Sequence, residues 1–279
     1  MTASALPPFK DLVYRKEQVY YAIMLIISLA VWGALGYYAW LNLRVVPGII
    51  AYVVIFGIAV FFAQGMALGR IRGNAIKVGP RQLPLVHKLV HEHSSLMQLK
   101  DVPDVYVVQA GGVMNAFATR FWGRNFVIMF SDVLEMAMKQ GEAAVGFIVA
   151  HELAHHKRGH LKLRWLTLPG RIVPYLGFAY SRACEYTCDR FAARCQPDGA
   201  VAGLLSLAAG KEVYRTVDPA EFARQGTAEN DFWVRRAEMM STHPRLPKRV
   251  AEVIRIGAQV PSYTPMLLAD RESAAPLSQ

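Results

Sequence analysis

His151, Glu152 and His155 are residues whose types and spacing could do chemistry. On a helix, positions four apart differ by about 40° in azimuth, so both imidazoles would project from one face. Neutral imidazole nitrogens are zinc ligands, and a catalytic zinc keeps one position for water beside three protein ligands. Glu152 follows the first histidine directly and could take a proton from that water as it attacks a carbonyl. The His-Glu-x-x-His pattern therefore points to metal-assisted hydrolysis and asks for a third ligand.

Several residues compete for that place. Glu185 is favoured, because Asp189 stands one turn later on the same face and could hydrogen-bond a ligating imidazole, fixing its tautomer. His160 follows His155 closely, but its ring points away from the metal unless the helix breaks at Gly159. Cys184 and Cys188 offer thiols, yet neither belongs to a Cys-x-x-Cys pair, and both read as small buried side chains. A third histidine six residues past the second, with a glycine at the midpoint, is excluded, since those places hold Leu161 and Arg158. A second histidine pair, His87 and His91, has the same spacing, with His93 nearby. No glutamate follows His87, and the pair shares a polar side with Lys88 and Glu92, so a solvated face is expected there.

The elements that must position these residues follow from periodicity. Glu142 to His160 is apolar at helical spacing through Ala143, Val145, Ile148, Val149, Leu153 and Ala154, which puts the motif on a buried helix. A second helix resumes at Ser181 and carries Cys184, Glu185, Cys188 and Asp189. Asp104–Gln109 and Asn125–Phe130 read as strands, separated by a turn signal at Gly111–Gly112, and Ser131 and Asp132 could cap a following helix. An amphipathic helix is expected over Leu83–Leu99, and further helices over Gly199–Tyr214 and Lys248–Ile256. Arg215–Asp231 reads as loop-rich. Trp165–Tyr180 is apolar but broken by Pro169, Gly170 and Pro174, so it predicts an interfacial segment or a lid rather than a span.

Composition sets the context. The 279 residues are 53% hydrophobic, and a mean hydropathy of +0.22 is too apolar for an ordinary soluble enzyme. Val19–Leu41 and Val45–Gly69 carry no charge, and each is long enough to cross a bilayer. The first run is also too long for the core of a cleaved signal peptide. Lys10, Arg15 and Lys16 precede the pair of runs, Arg70, Arg72, Lys77 and Arg81 follow it, and Arg44 alone lies between. The positive-inside rule then places both termini, and the catalytic domain, on the cytoplasmic side of a cytoplasmic (inner) membrane. Attraction to anionic lipid accounts for the net charge of +10, and no nucleic-acid-binding motif is present. Three clustered cysteines make no disulfide framework and fit a reducing compartment. The expected division is a cytoplasmic segment over 1–18, a two-helix anchor over 19–69, a zinc-binding hydrolytic domain over 70–260 and a loose tail over 261–279.

The run His151-Glu-Leu-Ala-His-His-Lys-Arg-Gly-His160, Glu185-x-x-x-Asp189, Asn115-Ala116-Phe117 and Ser241-Thr242-His243-Pro244 lie behind two apolar runs. In this combination the sequence resembles the HtpX-like membrane zinc metallopeptidases, whose relatives include the CAAX prenyl proteases and the mitochondrial OMA-type proteases. The resemblance implies an α+β fold, two transmembrane helices followed by a mainly helical gluzincin domain with a small β-sheet. It implies an endopeptidase with one zinc ion per chain, held by His151, His155 and Glu185, with Glu152 as general base and a role in membrane protein quality control. Asp189 would orient His151. Asn115 would hold a protein or peptide substrate as an extended strand along the sheet edge. His243 and Arg249 would steady negative charge on the scissile carbonyl. The reading of a different class is a non-catalytic membrane scaffold or chaperone that keeps zinc for structure.

Overall fold

The structure is a computed structural model that describes residues 7–109, 116–121, 123–160, 162 and 164–260. Asn115, the Gly111–Gly112 turn and the tail over 261–279 lie outside the described residues.

Two long helices open the chain, α1 (Arg15–Leu41) and α2 (Val46–Asn74). Both are long and apolar enough to cross a membrane. They meet the rest of the protein differently. On α1 the buried residues Glu17, Met24 and Ser28 form one stripe at helical spacing, whereas α2 buries only Leu68 near its end.

The sheet is small: β1 (Ile76–Lys77), β2 (Asp104–Val108), β3 (Ala116–Phe121) and β4 (Arg124–Phe130), in the order β1-β2-β4-β3. β2 runs parallel to β4, and β3 pairs antiparallel with β4 from Ala116↔Met129 to Phe121↔Arg124. Alternation sends Val105, Val107, Val127 and Met129 into the main core, while Tyr106, Phe126 and Ile128 pack on the other face with Leu68 of α2. The β3 strand was not expected from its sequence. Gly123, at φ 77°, supplies the left-handed residue of a tight hairpin, and that turn returns the chain into β4.

The helices α3 (Pro84–Leu96), α4 (Ser131–Gln140) and α5 (Glu142–Arg158) cover the core side of the sheet. The expected cap at Ser131 is not made: the residue before the helix is Phe130, and the Ser131 hydroxyl pairs with Gln109 Oε1 at 2.6 Å instead. Trp165–Tyr180 holds the short α6 (Leu168–Ile172) and the start of α7 (Leu176–Cys195), so α7 begins five residues earlier than periodicity indicated. Gly170 explains the docking of this segment on α1. A Cβ there would collide with the Met24 backbone, and its N–H donates to Ser28 Oγ at 2.9 Å.

The remaining elements are α8 (Ala200–Val213), α9 (Pro219–Ala228), α10 (Phe232–Met239) and α11 (Leu246–Arg255). The loop-rich reading of Arg215–Asp231 is corrected by α9. Asp218 accepts from the N–H groups of Ala220 and Glu221, at 2.7 and 3.1 Å, with Pro219 at the first helical position. Asp231 caps α10 in the same way through Val234 N–H, at 2.9 Å.

Candidate metal centre

The site lies between α5 and α7. From Ala144 to Ala154 every residue of α5 is buried, and α7 packs on it with Cys184, Glu185, Cys188 and Asp189 turned inward. His156 fixes the helix to the sheet by donating from Nε2 to Phe126 O, at 3.1 Å.

Three ligand-type side chains converge here. His151, His155 and Glu185 each offer one atom, all within 4.8 Å of one another. His151 Nε2 is 3.4 Å from Glu185 Oε2, and His155 Nε2 is 3.3 Å from Glu185 Oε1. Donors about 2.0–2.1 Å from a tetrahedral zinc stand about 3.3 Å apart, so these separations fit that ion. Glu152 is 6% exposed, and its Oε2 is buried with no hydrogen-bond partner among the described residues.

The surroundings orient the donors. Asp189 Oδ1 lies 2.9 Å from His151 Nδ1; a proton donated there leaves the Nε2 lone pair facing Glu185. Arg249 in turn forks onto Asp189, Nε to Oδ2 and Nη2 to Oδ1, both at 2.7 Å. Burial alone would push the Glu185 and Asp189 carboxyls up, but the histidines and Arg249 outweigh it, holding Glu185 well below and Asp189 below the usual carboxylate range. Burial likewise opposes charge on His151, yet Asp189 and Glu185 raise it to about 10. A metal entering this site displaces that proton.

Arg249 is 6% exposed and engaged with Asp189, with Nη1 3.6 Å from Glu185 Oε2. His243 lies at the rim beside Glu185: its side chain is 60% exposed, with Nε2 3.8 Å from Glu185 Oε1 and Nδ1 3.0 Å from Thr242 Oγ1. Arg182 holds that turn by donating from Nη1 to Met239 O and Ser241 O, at 3.0 and 2.7 Å. Asn115 lies outside the described residues, but β3, which follows it, ends the sheet with β4 as its partner. A cavity of about 840 Å³ runs beside β3, lined by Phe117, Thr119 and Phe121, by Leu68 and Ile71 of α2, and by Arg171.

The helix does break at Gly159, whose φ is 68°. His160 thereby turns back onto His155: the two Nδ1 atoms are 3.0 Å apart. His160 Nε2 is 3.1 Å from Oε1 of Glu17, which also accepts from Arg158 Nη2 at 2.8 Å. Sequence reasoning gave Glu17 no role, since a lone acid before an apolar run carries no signal. Cys184 and Cys188 also join groups of ligand-type atoms around His160. Burial pushes both thiols far up, which keeps them protonated in the metal-free protein.

No curated protein matches the chain. The model of peptidase family M48 matches residues 80–179 and 170–256, which together hold the α5 motif, Glu185, Asp189, His243 and Arg249. With more than half of its length covered, the chain belongs to peptidase family M48, a family of metallopeptidases.

Proposed function

We propose that the protein is a zinc-dependent endopeptidase anchored in the cytoplasmic membrane by α1 and α2, with its catalytic domain on the cytoplasmic side. The observation that carries the reading is the convergence of His151, His155 and Glu185 beside a carboxylate oxygen of Glu152 that has no hydrogen-bond partner among the described residues.

His151, His155 and Glu185 would hold the ion, and Arg249 and Asp189 would keep His151 in the ligating tautomer. Zinc, when bound, supplies Lewis acidity that polarises a peptide carbonyl and acidifies water. Glu152 takes the proton from the attacking water and hands it to the leaving amine nitrogen. His243 donates from Nε2 to the oxygen on which negative charge develops. Asn115 and the edge of β3 hold the substrate main chain as an added strand, with the neighbouring cavity taking its side chains. The exposed apolar surfaces of α1 and α2 and the basic residues that flank them support the membrane placement, where misfolded membrane proteins would be within reach.

Glu152→Gln tests the mechanism. In detergent-solubilised protein, cleavage of unfolded casein should fall by about 10²- to 10⁴-fold, with one zinc per chain retained. Cleavage at the wild-type rate would overturn the mechanism. A zinc-bearing scaffold instead predicts that wild-type protein cuts no peptide bond, and it gives the buried Glu152 oxygen nothing to do.

A further inference from the structure

His151 and His155 are supported by different parts of the chain. Asp189, on α7, pairs with His151 Nδ1. The partner of His155 Nδ1 is His160 Nδ1, at 3.0 Å, and the far nitrogen of His160 reaches Glu17 Oε1, at 3.1 Å. Glu17 belongs to the first turn of α1, outside the region that matches the family. It is 3% exposed, and Arg158 Nε and Nη2 both donate to the same oxygen, at 3.1 and 2.8 Å. Tyr14 N–H donates to Thr187 Oγ1 at 3.0 Å, which fixes the start of α1 on α7.

Proton placement along this line has one consistent solution if His155 binds metal through Nε2. His155 Nδ1 then carries a hydrogen and donates to His160 Nδ1, which must be an acceptor. The His160 proton therefore sits on Nε2 and is donated to the Glu17 carboxylate, whose charge is balanced by Arg158. Each link sets the tautomer of the next.

We propose that Glu17 and His160 are positioning residues that fix the tautomer and ring orientation of His155, so that the first turn of the apolar helix α1 is part of the metal centre. The proposal rests on the zinc reading of the site and extends it: docking of the anchor on the domain sets the affinity for the ion.

Zinc affinity, measured on the full chain in detergent by competition with a chromophoric chelator, tests this beside the melting temperature of the metal-free protein. Glu17→Leu and His160→Leu should each weaken binding about 10- to 100-fold, and the double variant should bind no more weakly than His160→Leu alone. Glu17→Gln and His160→Gln, which keep polar groups able to continue the line, should recover part of the loss. A merely structural role would lower the metal-free melting temperature and leave zinc affinity within about two-fold, or make the two leucine effects multiply; either result overturns the proposal. Histidine ¹⁵N spectra of the zinc-bound wild type are a check that needs no variant. The proton of His160 is expected on Nε2, and finding it on Nδ1 would sink the relay. Wild-type protein that binds no zinc at all would instead remove the reading of the site itself.

Discussion

Two histidine pairs with the same four-residue spacing sit on helices that pack against each other, His87 and His91 on α3 and His151 and His155 on α5. The rings of the first pair are the closer, at 4.4 Å between centroids against 5.2 Å. Among the described residues, however, no cluster of three or more ligand-type side chains includes His87 or His91. Around the second pair stand Glu185 between the rings, Asp189 behind one and His160 behind the other. The difference teaches that spacing brings two imidazoles together, while a metal centre also needs a third donor and a partner that decides which nitrogen is free.

Substitutions sharpen or break that contrast. The largest effect is expected from His151→Ala or His155→Ala, which should abolish stoichiometric zinc binding and casein cleavage together; zinc retained at full affinity in either would break the comparison. Asp189→Asn comes next. It keeps the shape behind His151 but loses the charge that Arg249 and the imidazole share, so zinc affinity should fall about 10- to 100-fold by chelator competition. At the other end, His87→Ala combined with His91→Ala should leave zinc content and cleavage rate unchanged, and any loss of metal would show that α3 holds a ligand.

Between these extremes lies His93, on α3 but buried, with neither ring nitrogen hydrogen-bonded among the described residues. Burial holds it below its ordinary value of 6.5, against a smaller upward pull from Glu92. Above that pH both the folded and unfolded states are neutral, and the residue adds no pH dependence. Below it the unfolded chain binds the proton more readily, so stability is lost as pH falls toward the depressed folded value. His93→Leu should flatten part of the acid-side loss in denaturant midpoints of the metal-free protein between pH 7 and 5; an unchanged slope would show that His93 takes its proton without cost.

Much of the centre was legible because it is local. The His-Glu-x-x-His spacing lies within one helical face, and Glu185 and Asp189 repeat the device on another, so periodicity alone brings out four of the side chains that meet. The apolar runs of α1 and α2 were legible for the same reason. Other elements were missed where a single residue outweighs composition. Asp218 and Asp231 cap helices inside and beside a stretch that looked like loop, and Gly123 turns β3 back into the sheet.

What the sequence by itself determined is the chemistry offered: two imidazoles and a carboxylate on one buried helix, a second acidic pair, and two segments apolar enough for a bilayer. Tertiary structure alone decided how that chemistry is held. It set Arg249 behind Asp189, brought His243 over Glu185, and joined Glu17 to His160 across 143 positions of chain. The physical reason is that a hydrogen bond is specified by atoms within about 3 Å, and which distant atoms come that close depends on how whole helices pack.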